Sequence, residues 1–217
     1  MKKFRLTIPT MGAVALDTMR AAERICAAAG ARPPEYMVAT NSAGETKCRI
    51  VRWFMWDTDD EYLIILDDDV VPPKNFLSLL DRELPIVGGV YPLMNPRLCM
   101  MPFDGAYVRQ QKGGYLPIED DGTRHGLVEC DAICSGAICI HRSVFEKIRP
   151  AFCEQYDDWG IVTKSDDIYF CERAKEQGFK IYADLDVKCE HLKRVGLRDM
   201  TNRIATSIQM WNAMQEV

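Results

Sequence analysis

The stretch Glu61-Tyr62-Leu63-Ile64-Ile65-Leu66 constrains this chain most, because the apolar run ends abruptly in Asp67-Asp68-Asp69. Its uninterrupted apolar character reads as a buried strand, one that delivers carboxylates at its C-terminal end. Three adjacent acids repel one another unless a cation or hydrogen bonds offset the charge. In open α/β sheets ligands gather outside the carboxyl ends of the strands. The run therefore marks both the centre of a fold and a candidate site; the bland alternative is a solvated acidic turn whose Asp69 favours the start of a following helix.

The segments around it alternate in kind. Residues 4–8 read as a first buried strand, closed by Pro9. The Ala-rich stretch 13–29, stopped by Gly30, reads as a helix. Residues 36–40 form a second strand, and Ser42 with Glu45 makes a capping box opening a helix to about Trp56. Pro72-Pro73 start a helix through Leu80, and 85–91 is another strand. This βαβαβαβ pattern predicts an α/β domain, Rossmann-like, with a mostly parallel central sheet flanked by helices. Residues 94–124 and the stretch leading to Ser165 read as irregular. Strands at 137–141 and 179–183 and helices at 143–148 and 166–177 restore the order. Residues 198–216 read as a last helix, with Met200, Ile204, Ile208, Trp211 and Met214 on one apolar face, capping the core or making a homodimer contact.

Composition narrows the partners. The 217 residues suffice for one domain with a sizeable core, taken as parts 1–92 and 93–192 and a terminal helix over 193–217. Net charge is −5 and no dense Lys/Arg stripe appears, so nucleic acid is not an expected partner. No apolar run approaches the ~20 residues that cross a bilayer, and the start lacks a signal peptide, so a cytoplasmic protein is expected. The nine cysteines include no CxxC; Cys130, Cys134 and Cys139 lack a matching second cluster, and reduced thiols are expected.

Besides Asp67 and Asp69, which on an extended backbone would point the same way while Asp68 turns aside, three further places offer chemistry. Asp166 and Asp167 follow Ser165 at a helix start, where the dipole favours carboxylates, although such a start is also common without function. His191, beside Glu190, is one of three histidines and a candidate metal ligand. Gly136 precedes a strand and allows either a ligand or a neighbouring segment to approach closely. The acids suit Mg²⁺ or Mn²⁺, which prefer oxygen ligands and bridge to diphosphate.

Taken in order, Ile8-Pro9-Thr10, Leu66-Asp67-Asp68-Asp69, Val87-Gly88-Gly89-Val90-Tyr91, Ser135-Gly136-Ala137, Ser165-Asp166-Asp167-Ile168, Gly178-Phe179-Lys180-Ile181-Tyr182 and His191 resemble the GT-A glycosyltransferases. The likeness is to the short family-2-like enzymes of bacteria and phages, over residues 4–192, and implies a nucleotide-binding half over 1–92 and an acceptor and catalytic half over 93–192. It implies a metal-dependent transfer of sugar from a nucleotide-sugar, a UDP-sugar by preference, to a glycan or other hydroxyl acceptor, with inversion. Asp67, Asp69 and His191 would form the metal site. Asp167 would be the base, with Asp166 beside it. Pro9, Thr10, Asn41, Arg49, Asp68 and Gly136 would line the donor. Two rivals remain: a phosphohydrolase of the haloacid dehalogenase type, whose hhhDxDx[TV] pattern 66–71 also fits with Asp67 as nucleophile, and a nucleotide-sugar-binding protein without turnover.

Overall fold

The computed structural model describes residues 2–39, 41–93, 103–104, 106–109, 114–117, 124–193, 205 and 208–209. Strand and helix alternate through the first half: β1 (Phe4–Thr10), α1 (Leu16–Ala28), β2 (Glu35–Val38), α2 (Ala43–Asp57), β3 (Tyr62–Leu66), β4 (Val70–Val71), α3 (Ser78–Asp81) and β5 (Ile86–Val90). Short strands follow: β6 (Pro92–Leu93), β7 (Phe103–Asp104), β8 (Ala106–Arg109), β9 (Tyr115–Pro117), β10 (Leu127–Cys130) and β11 (Ala132–Ile133). The chain then forms β12 (Ala137–His141) and α4 (Arg142–Lys147), a hairpin of β13 (Gln155–Tyr156) and β14 (Val162–Lys164), and finally α5 (Asp166–Glu176), β15 (Ile181–Lys188) and β16 (Glu190–His191).

Seven strands make the central sheet, in the order β10-β15-β5-β12-β3-β1-β2. β1 runs parallel to β2 and β3, and β15 parallel to β5. β12 is antiparallel to both of its neighbours, β3 and β5, and β10 is antiparallel to β15. The sheet is mostly parallel, as the alternation implies, with β12 wedged into its middle.

β3 is buried throughout, and its pleat explains why. Leu63 and Ile65 join Ile50 and Phe54 of α2, Phe145 of α4 and Phe170 of α5 in one core. Tyr62, Ile64 and Leu66 join Ile25 of α1, Phe76 and Leu79 in the core on the other face. Both faces are covered, which is what an apolar run without alternation demands.

Helix starts follow their caps. Ser42 accepts the Glu45 N–H at 3.2 Å to open α2, and Ser165 accepts that of Ile168 at 3.5 Å to open α5. Gly178, at φ +81, lets the chain turn after α5. The helix expected from Pro72 to Leu80 is a correction. Pro73, Asn75 and Leu77 carbonyls accept from Phe76, Ser78 and Leu80, three residues on, and only Ser78–Asp81 closes as α-helix. The prolines bring no N–H to the turn, and Val70–Val71 is drawn into a ladder with β16.

The stretches read as irregular contain ordered pairs that short strands conceal. β8 pairs with β9 in the first and β13 with β14 in the second; just beyond the first, β11 pairs with β8 and β10 completes the sheet edge. The strand expected at 179–183 runs from Ile181 to Lys188. The helix expected over 198–216, with its dimer contact, lies outside the described residues except for Ala205, Ile208 and Gln209, which are helical.

Candidate functional site

The wedge strand assembles the site. Because β12 runs against β3, its first residue, Ala137, pairs with the last residue of β3, Leu66. Ser135 and Gly136 are thereby carried to the rim where Asp67 emerges, and the Gly136 carbonyl accepts the Asp67 N–H at 2.9 Å. A Cβ on Gly136 would lie 2.8 Å from Asp67 Cγ and 2.5 Å from Tyr91 Oη, so only glycine fits there. The Gly136 N–H in turn donates to Tyr91 Oη at 3.2 Å.

Asp67 continues the pleat of β3 on the side of α2 and α5. There the structure places a group that sequence reading missed, Lys47, only 5% exposed. Its ammonium lies 2.8 Å from Asp166 Oδ2 and 3.0 Å from Asp167 Oδ1, and it donates to Ser135 Oγ. Ser135 Oγ also donates to Asp167 Oδ1. Burial opposes the lysine charge, but Asp167, Asp67 and Asp166 outweigh it and hold its pKa above the ordinary value. The legible signal was its spacing: Lys47 shares one face of α2 with the buried Ile50, Val51 and Phe54, an inward-facing lysine on an apolar stripe.

Three acids around one lysine cannot all be relieved equally. Burial raises Asp67 to about 6; Lys47 lowers it, while Asp167, Asp69 and Asp166 push it further up. Burial also raises Asp166, which Lys47 only partly relieves. Burial works against the Asp167 charge too, but Lys47 and the hydrogen bonds from Ser135 hold its carboxyl below the usual range.

Asp69 leaves in another direction, and the i, i+2 argument from an extended strand fails here. The strand stops at Leu66, and the Val70 N–H closes a turn on the Asp67 carbonyl at 3.1 Å, with Asp68 and Asp69 as its central residues. Asp69 instead meets β16, which pairs with β4 beside it. Its Oδ1 is 3.3 Å from His191 Nε2 and its Oδ2 is 2.6 Å from Lys193 Nζ. His191 Nδ1 hydrogen-bonds the Pro92 carbonyl at 2.8 Å, which leaves Nε2 for Asp69. Tyr91 stands between the two arms: its hydroxyl is on the Gly136 side, and its ring meets His191 edge-on at 5.1 Å. Among the described residues, no three His, Cys, Asp or Glu side chains close into a metal-binding group. The structure thus joins Asp69 to His191 and leaves Asp67 with Lys47.

The residues expected to line the donor are spread along the same rim with one exception. Thr10 is buried at the end of β1 and accepts the Gly12 N–H at 3.1 Å, beside half-buried Pro9. Asn41 lies ahead of the α2 cap and donates its amide to Glu45. The Asp68 carbonyl accepts the Ala15 N–H at 2.8 Å, tying the acidic turn to the start of α1. Arg49 is exposed, two residues and about 200° around α2 from Lys47, so the structure does not turn it toward the acids. A cavity of about 610 Å³ lies at the opposite ends of β1 and β3, lined by Lys3, Arg5, Arg32, Trp56 and Asp60. It holds none of the candidate acids, and its Arg5 is neutralised by Asp60 at 2.6 Å.

Compared with known proteins, neither a family model nor a curated protein matches the chain. Solved structures do. A197 from STIV superposes with a TM-score of 0.63 at 22% identity, over 89% of this chain and 87% of that one. GalNAc-T7, crystallised with UDP, GalNAc and Mn²⁺, superposes with a TM-score of 0.55 at 10% identity, over 90% of this chain and 44% of that one. The fold is GT-A-like. A UDP-glucose pyrophosphorylase complexed with UDP-glucose also superposes, with a TM-score of 0.52 at 9% identity, over 97% of this chain and 100% of that one. At such identities the likeness establishes the architecture alone.

Proposed function

We propose that this chain transfers a sugar from a nucleotide-sugar to an acceptor hydroxyl, with inversion at the anomeric carbon. One observation carries the reading: Asp67, the Asp69–His191 pair and Asp167, from three separate segments, lie at the carboxyl rim of a GT-A-like sheet. A UDP-sugar is the favoured donor, supported by the UDP and UDP-glucose held by two structures of the same architecture.

An Mn²⁺ or Mg²⁺ ion suits the chemistry of this rim. Asp69 and His191 already touch and offer an oxygen and a nitrogen donor, and Asp67 carries charge that its surroundings do not fully neutralise. Asp69 and His191 would hold the ion, with Asp67 facing the donor, and the ion would neutralise charge developing on the diphosphate. The chain's own residues supply the rest. Gly136, packed against Asp67 and Tyr91, would act on the donor by letting those two side chains approach its backbone. Pro9, Thr10 and Asn41 would flank the nucleobase, and Asp68 anchors the turn that presents its neighbours. Asp167, held ionised, would accept the proton of the acceptor hydroxyl as that oxygen attacks from the face opposite the leaving diphosphate, with Asp166 beside it. A carboxylate this acidic takes the proton late, once the attacking oxygen has begun to bond.

The test is a panel of nucleotide-sugars with Mn²⁺ and simple glycoside acceptors, scored for release of nucleoside diphosphate and for the anomeric configuration of the product. Release that depends on both Mn²⁺ and acceptor supports the reading. Absence of release, together with no thermal stabilisation by UDP and Mn²⁺, overturns it. Among the described residues no helix is long and apolar enough to cross a membrane, so the assay needs no provision for a spanning helix in that part of the chain.

A further inference from the structure

Lys47 has no part in the reaction outlined above, yet it is the most deeply buried cation of the rim. It reaches across from the second turn of α2 to the first turn of α5 and to the segment before β12. Burying an ammonium costs several kcal/mol of desolvation unless it is paired, and here two carboxylates and a hydroxyl pair it. Its contacts are specific rather than diffuse: Nζ and Ser135 Oγ both donate to one oxygen of Asp167, Oδ1, and Ser135 Oγ is itself hydrogen-bonded to Nζ. Lys47, Ser135 and Asp167 close a three-membered ring of hydrogen bonds from three distant segments of the chain. A carboxylate pinned by one oxygen from two directions keeps a single rotamer, which is how a reacting group is held in geometry by its surroundings.

We infer that Lys47 is a positioning residue: through Nζ it fixes the Asp167 carboxylate in place, with Ser135 as the second strut. The inference rests on the glycosyl-transfer reading for the role of Asp167, but its physical content does not. The charged and titratable groups facing Asp167 are Lys47 from α2, Asp67 beyond β3, Asp166 on its own helix, Tyr91 after β5 and Cys171 one turn along α5, with Glu154 acting on Asp166. Lys47 is the cation of this set. Asp67 and Asp166 disfavour the Asp167 charge, so among the described residues removing Lys47 leaves Asp167 beside acids with Ser135 in support. Arginine at 47 would keep the charge while changing its shape, and a methionine would keep roughly the length without the charge.

The experiment follows the Asp167 side-chain carboxyl carbon by NMR through a pH titration, in the wild type, Lys47→Met, Lys47→Arg and Ser135→Ala. It is paired with the pH profile of nucleoside diphosphate release from UDP-sugar with Mn²⁺. Lys47→Met is expected to move the Asp167 titration up by about one pH unit or more, Ser135→Ala by less, and Lys47→Arg to restore most of the wild-type value. The acid limb of the turnover profile is expected to move up with it. An Asp167 titration unmoved in Lys47→Met overturns the inference. A moved titration with an unmoved acid limb also overturns it, because Lys47 would then act on a group that is not the base. Should Lys47→Met fail to fold, Ser135→Ala decides: an unchanged Asp167 titration there overturns the ring. Failure of the functional reading is separable, since it abolishes turnover in the wild type while leaving the NMR arm readable.

Discussion

Asp67 and Asp69 stand two residues apart on one turn, and the molecule treats them in opposite ways. Burial among other acids lifts Asp67 to about 6, with Lys47 only partly relieving it. Burial also pushes Asp69 up, but the hydrogen bonds from His191 and Lys193 outweigh it and bring the carboxyl down to about 2. One acid is a strained charge waiting for a partner, and the other already has two. The difference teaches that a run of like residues is not a unit. The pleat of β3 sends Asp67 toward the α2–α5 layer, while the turn sends Asp69 toward β16. Each acid takes its properties from where it lands.

The comparison can be broken at several points. The largest effect should come from the arm that includes Asp67: Asp167→Asn keeps the shape of the base but not its proton affinity, and should cut turnover by roughly 10²–10⁴-fold while UDP and Mn²⁺ still stabilise the protein in a thermal shift. Full activity in that variant would remove Asp167 from its role. On the Asp69 arm, His191→Ala should weaken Mn²⁺-dependent binding of UDP by about 10–100-fold in calorimetry, whereas binding that is unchanged would make the Asp69–His191 pair purely structural.

Two stability measurements sharpen the contrast. Gly136→Ala forces a Cβ against Asp67 Cγ and Tyr91 Oη, and should lower stability by about 1–3 kcal/mol in denaturant unfolding. Asp67→Asn should do the reverse. Because the folded-state pKa of Asp67 lies above its ordinary 3.8, ionisation penalises the folded state increasingly from about pH 4 to about 6 and fully above that. Removing the charge should therefore add on the order of 2 kcal/mol at pH 7, a few degrees in Tm, fading as pH falls toward 4, while any donor-dependent activity is lost.

The smallest effect belongs to the rim. His191 is raised above its ordinary 6.5, chiefly by its hydrogen bond to Asp69, so its contribution is complete below 6.5 and fades as pH rises through the raised value. Asp69 is lowered, so its contribution is complete above 3.8 and fades as pH falls toward 2. Their mutual support should peak between about pH 4 and 6.5. Lys193→Ala removes a half-exposed partner and should change unfolding stability by no more than a surface ion pair does, roughly 0–1 kcal/mol, across that window in denaturant unfolding.

How far the sequence carried this reading differs from element to element. The run 61–66 gave a strand buried on both sides because nothing polar interrupts it, and the Ser42 and Ser165 caps gave helix starts because a hydroxyl acceptor two or three residues ahead of an amide is a local matter. The short pairs β8–β9 and β13–β14 were not legible, since two to four residues hold too little pattern to separate a strand from a loop. Lys47 could have been suspected from its place on an apolar stripe, but its partners lie 88 to 120 positions away.

By itself the sequence determined the layers: which of the longer segments are strand or helix, which of their faces are apolar, and that acids end the central strand. Those are local properties, set by pleat, helical period and capping within a few residues. Only the tertiary structure decided that β12 enters between β3 and β5 in the opposite sense, carrying Ser135 and Gly136 to Asp67, and that β16 returns to Asp69. Strand order and direction depend on which surfaces pack together over the whole chain, and so does every pairing of charge that gives the rim its chemistry.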